Sequence, residues 1–255
     1  MKSGFARWIT AMILFLAVAA TAQTTNGLSD AEIQGRQLAR QLCDSQPAEN
    51  FTNTGVLQIR DATGKSSEIP FKGEVIVTAN GWCNYYEAHL PNGLFEKLFI
   101  THSSNSTNEY SHEESAASGR DSVDDQSAVL SVETSAPFAG SDFWIGDLGL
   151  EFFHWPEQKI LPNPTSLCRG RAYKLLESTN PNPSASGYSR VDSWIDLETG
   201  GILQAEAYDA GGKLLKIFEP KSFKKVNGQW ELQGVEIRNV QTGSRTQIDF
   251  DLKTQ

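Results

Sequence analysis

Tyr188-Ser189-Arg190-Val191-Asp192-Ser193-Trp194-Ile195-Asp196, Ile202-Leu203-Gln204-Ala205-Glu206-Ala207-Tyr208, Lys213-Leu214-Leu215-Lys216-Ile217-Phe218, Trp230 to Val240 and Arg245 to Leu252 are five strand-like runs at even intervals in the last third of the chain. The breaks between them are Glu198-Thr199-Gly200-Gly201, Asp209-Ala210-Gly211-Gly212, Asn227-Gly228 and Gln241-Thr242-Gly243-Ser244. Each break carries the glycine that a tight hairpin needs for positive φ. Leu203, Ala205 and Ala207 alternate with Gln204, Glu206 and Tyr208, and Ile248, Phe250 and Leu252 alternate with Gln247, Asp249 and Asp251. Such alternation gives a sheet with one wet face and one buried face. The fold class is therefore mainly β (α+β), with an antiparallel meander that curls and leaves an apolar concave side to be covered.

Upstream, Asp142 to Pro156 is the densest aromatic cluster in the chain. Ile145, Leu148, Phe152 and Trp155 recur at helical spacing, and Pro156 ends the run. The spacing predicts a short apolar helix over this stretch. Further upstream, Ser29-Asp30-Ala31-Glu32 has the form of a capping box, with Leu28 and Ile33 placed as a hydrophobic staple. An amphipathic helix is expected from there to Cys43, with Ala31, Gly35, Leu38 and Leu42 on one stripe. These two helices are the available covers for the sheet. Between them, Gly55–Arg60 and Gly73–Thr78 read as strands, and Trp82–Leu90 with Leu94–Thr101 as a hairpin about Pro91-Asn92-Gly93.

His102 to Ser127 is crowded with Ser, Asn, Glu and Asp, and only Tyr110 and Val123 are sizeable apolar residues. A segment this polar buries too little surface to offset its ordering entropy, so 102–127 is expected to be a mobile solvated loop or a ragged hairpin tip. His102 and His112 lie there with Glu109, Glu113 and Glu114, at no standard metal-ligand spacing. No metal and no cofactor are expected.

The N-terminus is a targeting segment by pattern. Lys2 and Arg7 precede the apolar run Trp8 to Ala19, and Ala20-Thr21-Ala22 follows. This predicts a secretory signal peptide over 1–22, cleaved after Ala22. The apolar run is well short of the ~20 residues that span a bilayer, so no transmembrane segment is expected in the mature chain. The remainder, 23–255, is expected to be exported and to form a single domain. Export permits a disulfide. With Cys43, Cys83 and Cys168 at most one bridge forms, and spacing does not say which.

The 255 residues are 39% hydrophobic with a net charge of -9, enough apolar content for a core. That acidic balance argues against a nucleic-acid binder. There is no G-x-S-x-G elbow, no H-E-x-x-H, no P-loop and no G-x-G-x-x-G, and the four histidines offer no nucleophile-base pair. The expectation is a binding protein and no enzyme. A hydrolase acting on envelope lipid or polysaccharide through paired carboxylates is the less favoured alternative.

Gly140-Ser141-Asp142-Phe143 through Asp147-Leu148, Tyr188-Ser189-Arg190-Val191, Trp194-Ile195-Asp196, Ala207-Tyr208-Asp209 and Gly212-Lys213-Leu214-Leu215-Lys216 resemble the LolA-like outer membrane lipoprotein-sorting proteins, a branch of the periplasmic lipoprotein-carrier superfamily. The resemblance covers about the last 115 residues closely and the first half by architecture. It implies a periplasmic monomer folded as an unclosed half-barrel, covered by the N-terminal helix and the short apolar helix, whose concave face accepts lipid or lipoprotein acyl chains. It also implies an alternative for the same fold, an envelope sensor or structural module that binds a protein partner. Two features depart from the best-known carriers: the polar insertion at 102–127, and no matching arginine to hold the cover closed. Arg36 and Arg40 are candidates for that role by location alone. The cavity residues implied are Leu148, Phe152 and Trp155 on the cover and Leu203, Leu215, Ile217, Ile248 and Phe250 on the sheet.

Overall fold

The computed structural model describes residues 27–103, 106–116, 132–226 and 229–252. The expected signal segment 1–22 lies outside them.

Twelve antiparallel strands form one open sheet, in the order β5-β4-β3-β2-β1-β12-β11-β10-β9-β8-β7-β6. In chain order these are β1 (Phe51–Arg60), β2 (Ser66–Thr78), β3 (Gly81–His89), β4 (Leu94–Ser103), β5 (Glu109–Ala116), β6 (Glu157–Leu161), β7 (Tyr173–Thr179), β8 (Tyr188–Asp196), β9 (Ile202–Asp209), β10 (Leu214–Val226), β11 (Gln229–Asn239) and β12 (Arg245–Phe250). All neighbours but one are joined by a hairpin or loop. The exception is central: β1 pairs with β12, Gly55 opposite Phe250 and Arg60 opposite Arg245.

The five C-terminal strands form where turn glycines and alternation place them. Strands β6 and β7 lie beyond that pattern and carry no such signal. The polar stretch 102–127 also departs from expectation, because Glu109–Ala116 is strand β5 along the edge of β4. Backbone pairing needs no apolar side chain, and two inward residues suffice to dock it. Tyr110 packs against the core, and His112 Nε2 meets the buried Glu96 carboxylate at 2.8 Å. Charged outward residues suit an edge strand. The expectation for 117–127 falls outside the described residues.

Helix α1 (Asp30–Cys43) begins as its sequence dictates. Ser29 is the N-cap, its hydroxyl accepting from the Glu32 amide while the Glu32 carboxylate accepts from the Ser29 amide at 2.7 Å. The staple residues Leu28 and Ile33 remain exposed. The helix lies against β6 through Gly35, where a Cβ would sit 2.4 Å from the Lys159 backbone nitrogen. Only a residue without a side chain allows that approach.

The expected helix over 142–155 is instead two short turns, the single-turn helix α2 (Ile145–Leu148) and a 3₁₀ turn at Glu151–His154, with a further 3₁₀ turn at Phe138–Gly140 just before them. Gly149 caps α2, and Leu150 adopts a left-handed conformation with φ 49° that no continuous helix tolerates.

These turns cross the concave face and divide the core in two. One half joins Phe138, Phe143 and Ile145 to Leu57, Phe71, Leu98, Ile100, Ile237 and Ile248. The other joins Phe152 and Phe153 to Ala39 of α1 and to Leu176, Tyr188, Val191, Ile195, Ala205 and Ala207. Phe218 packs against both. All three cysteines are free thiols.

Candidate functional site

The concave face of β8–β11 is set by register. Phe218 lies opposite Ala205 and Ile237, and Lys216 lies opposite Ala207 and Asn239. Paired residues of an antiparallel sheet share a face, so Lys216 and Phe218 point at the covering turns. Small Ala205 and Ala207 leave room there for the aromatic rings of the cover. What remains beneath Phe152 and Leu150 is a void of about 30 Å³, bounded by Tyr188, Val191, Ile202 and Phe218. It has room for a water or two and none for an acyl chain. A larger cleft of about 260 Å³ opens between the cover, the segment 132–135 and the β7–β8 loop, walled by Trp144, Asp147, Glu151, Phe152, Trp155 and Tyr188.

A buried cation fastens the cover to the sheet. Lys216 is 2% exposed, and its ammonium donates to the Asp142 carbonyl at 2.6 Å. The same ammonium lies 3.5 Å from the Asp147 carboxylate and 3.6 Å from the centre of the Trp144 ring. Asp147 also accepts from the Trp144 amide at 2.8 Å and from the Tyr188 hydroxyl at 3.1 Å. Tyr188 stacks on Trp144 at 4.3 Å. On the other side of the turn, the Asp142 carboxylate accepts from Ser244 at 2.6 Å and from Thr246 at 3.0 Å. Burial is the larger influence on Lys216, and it pulls the amine down to about 8 against the pull of the two aspartates. In the cleft, burial pushes the Glu151 carboxyl up, and nearby Asp147 adds to the rise.

A second anchor holds the first turn of the cover. The Ala139 amide donates to Glu96 Oε2 at 2.9 Å, while the other oxygen of that carboxylate meets His112. Hydrogen bonding to Glu96 holds the His112 ring above its usual range.

The residues singled out by sequence separate into groups. Leu148, Ile248 and Phe250 join the first core half. Phe152, Trp155 and Leu215 join the second. Leu203 and Ile217 do not face the cavity. A bulge between Trp194 and Ile195 makes Leu203 the extra residue of β9 and turns Ile202 inward in its place. A second bulge at Leu215 reverses the faces of β10, so Ile217 lies opposite Glu206 and Arg238 on the outer side. Arg36 and Arg40 are exposed on α1 and take no part in the fastening; Lys216 does so instead.

Lys216, Asp142, Asp147, Trp144 and Tyr188 lie in the stretches that carry the resemblance but received no role in the site from sequence, because a lysine amid Leu214-Leu215-Lys216-Ile217-Phe218 reads as an outward charge. Its spacing of two from Phe218 was the available signal. His102 stacks on Trp82 at 4.6 Å and His112 bonds to Glu96, so the two histidines serve separate contacts. Among the described residues no three His, Cys, Asp or Glu side chains are grouped to hold a metal. No described helix is long and apolar enough to cross a membrane.

The chain is similar in structure to several solved proteins. One is a crystal structure described as a putative outer membrane lipoprotein-sorting protein domain from Vibrio parahaemolyticus, with a TM-score of 0.65 and 18% identity over 87% of this chain and 92% of that one. Another is a DUF1329 family protein from Desulfovibrio piger, with a TM-score of 0.63 and 19% identity over 88% and 92%. A third is a LolA superfamily protein from Nitrosomonas europaea, with a TM-score of 0.52 and 13% identity over 86% and 91%. No curated protein matches. The model of a family described as "Uncharacterized protein" matches residues 125–253, half of the chain. Cover, cation and C-terminal meander all fall inside that match, and the chain belongs to this family, on the unclosed LolA-like fold of the solved neighbours.

Proposed function

We propose that this chain is a periplasmic carrier for lipid or lipoprotein acyl chains, with its cover in the closed position. The observation that carries the reading is an apolar concave face covered by short turns that polar anchors tie to the sheet. Turns 138–155 are too short to be stable alone, and polar anchors at Lys216 and Glu96 tie them to the sheet. The fold shared with a protein described as lipoprotein-sorting supports it. An acyl chain that displaced Phe152 and Leu148 would gain ~0.8 kcal/mol per buried methylene. Opening would also return the Lys216 ammonium to water, and its rehydration offsets part of the cost of detaching the cover. No catalytic role is assigned to any residue.

A second reading has its own support. The void under the cover is only about 30 Å³, as expected of a sensor or structural module that fills its own groove and binds a protein partner. Native mass spectrometry of the chain from Gln23, purified from a periplasm, separates the two. Co-purifying acylated species, lost in a still-folded Val191→Asp variant, are the expected result. A clean apo mass with no uptake of added fatty acid would transfer the argument to the partner-binding module.

A further inference from the structure

Five of the eleven large apolar side chains that stay exposed among the described residues lie on three loops at one end of the sheet. Antiparallel order puts the β6–β7 loop, the β8–β9 turn and the β10–β11 hairpin at the same end, and Leu167, Leu197, Phe223, Trp230 and Leu232 lie on them. Trp230 is 71% exposed, Leu197 58% and Phe223 56%. In the hairpin Phe223 pairs with Leu232 and Lys225 with Trp230, so these four share one face. The opposite face is the packed one: Val226 is buried beside Leu252, and Lys224 donates to the Leu252 carbonyl.

The end is a built surface. β9 pairs β10 only as far as Phe218, and the remaining residues of β10, to Val226, run on about 26 Å beyond that last pair at ~3.3 Å per residue. Arg169 reaches Glu219 at 3.8 Å, joining the β6–β7 loop to this arm. Arg171 bonds Asp196 at 2.7 Å and Glu198 at 2.8 Å, joining the same loop to the β8–β9 turn. Charge distinguishes the arm from the rest of the molecule. In a chain of net charge -9, Lys221, Lys224 and Lys225 fall within five residues, and Lys224 and Lys225 have no carboxylate partner among the described residues. Lysines on an open strand edge also block edge pairing, but that role explains neither the tryptophan nor the loop-tip leucines.

We propose that this end of the sheet docks on the surface of a lipid bilayer bearing anionic headgroups. Trp230 and Phe223 would seat at the headgroup level with Leu167 and Leu197 as shallow anchors, and Lys225, on the same face as Phe223 and Trp230, would meet lipid phosphates. The acidic remainder of the molecule is repelled from such a surface, so the contact is oriented. The inference goes beyond the carrier reading and does not depend on it, because none of these residues lines the concave face.

The test is co-sedimentation of the chain from Gln23 with vesicles of phosphatidylcholine mixed with phosphatidylglycerol, and of phosphatidylcholine alone. Salt-sensitive binding to the mixed vesicles, weaker on phosphatidylcholine, is expected. Trp230→Ser and Leu197→Ser should each lower it about tenfold, while Val240→Ser, exposed at the opposite end, leaves it unchanged. Acyl uptake stays as in the parent chain, which separates failure here from failure of the carrier reading. Absence of vesicle binding, equal binding to both compositions, or equal loss in Val240→Ser would overturn the proposal. A concentration-dependent dimer abolished by Trp230→Ser would overturn it in favour of self-association.

Discussion

Lys216→Met tests the buried fastening most directly. In the folded chain burial pulls the Lys216 amine from 10.5 down to about 8, against the favourable pull of Asp147 and Asp142 and beside the Tyr188 phenol. The ammonium is thus net unfavourable in its site, by about 3 kcal/mol. That balance already includes Asp147, so removing the charge removes the cost with it. The sign follows from proton counts. Below pH 8 both states hold the proton and the full cost is present; between pH 8 and 10.5 the unfolded chain alone holds it, so stability rises with pH. Methionine matches the lysine stem and suits the Trp144 ring, but leaves the Asp142 carbonyl without a donor at about 1–2 kcal/mol. Urea unfolding should therefore find the variant about 1–2 kcal/mol more stable than the parent at pH 7, and less stable by a similar amount at about pH 10.5. Groups away from the site cancel between the two proteins, so the change in their difference reports on Lys216 and its immediate contacts. A difference that stays constant across that range would refute the reasoning.

Three further outcomes are expected. Burial pushes the Asp192 carboxyl up to about 6, so its charge opposes folding above that pH; Asp192→Asn should gain up to about 3 kcal/mol at pH 7 and nothing below about pH 4, read by denaturant titration. Glu96→Gln removes the acceptor that holds the His112 proton and weakens the bond from the Ala139 amide. The parent loses this contribution as pH rises through the raised His112 range, and thermal melts of the variant should be lower throughout and lack that loss. Gly35→Ala drives a Cβ into the Lys159 backbone, so it should cost about 1–3 kcal/mol and free α1 for early amide exchange.

The strands of the C-terminal meander were legible because hairpin glycines and period-two alternation are local signals. The faces of those strands were less so. A bulge adds one residue without any compositional mark, and two of them exchanged Leu203 for Ile202 and Ile217 for Lys216 and Phe218. Periodicity over 145–155 marked the apolar residues as core-facing but not their placement: Ile145 and Leu148 pack in one core half and Phe152 and Trp155 in the other, on either side of the left-handed Leu150. Strand β5 shows the opposite failure, because an edge strand docked by Tyr110 and His112 looks like a solvated loop in composition. The Glu96 and Lys216 anchors join residues far apart in sequence, and no local pattern announces them.

The pairing of β1 with β12 also sets the order of assembly during synthesis. Strands β1 to β5 and β6 to β11 each close through neighbours in sequence and can form early, whereas the seam between them needs β12, the last of the twelve to be made. Until β12 arrives, β1 and β11 are two bare edges flanking the gap where the sheet will be continuous, the arrangement most open to pairing with another chain. Closing that seam joins residues from opposite ends of the sequence and is the slow step by contact order. A nascent chain of this fold thus stands to gain from a holding chaperone until β12 is made, and a stop codon before β12 would divide the sheet at its middle instead of trimming its rim.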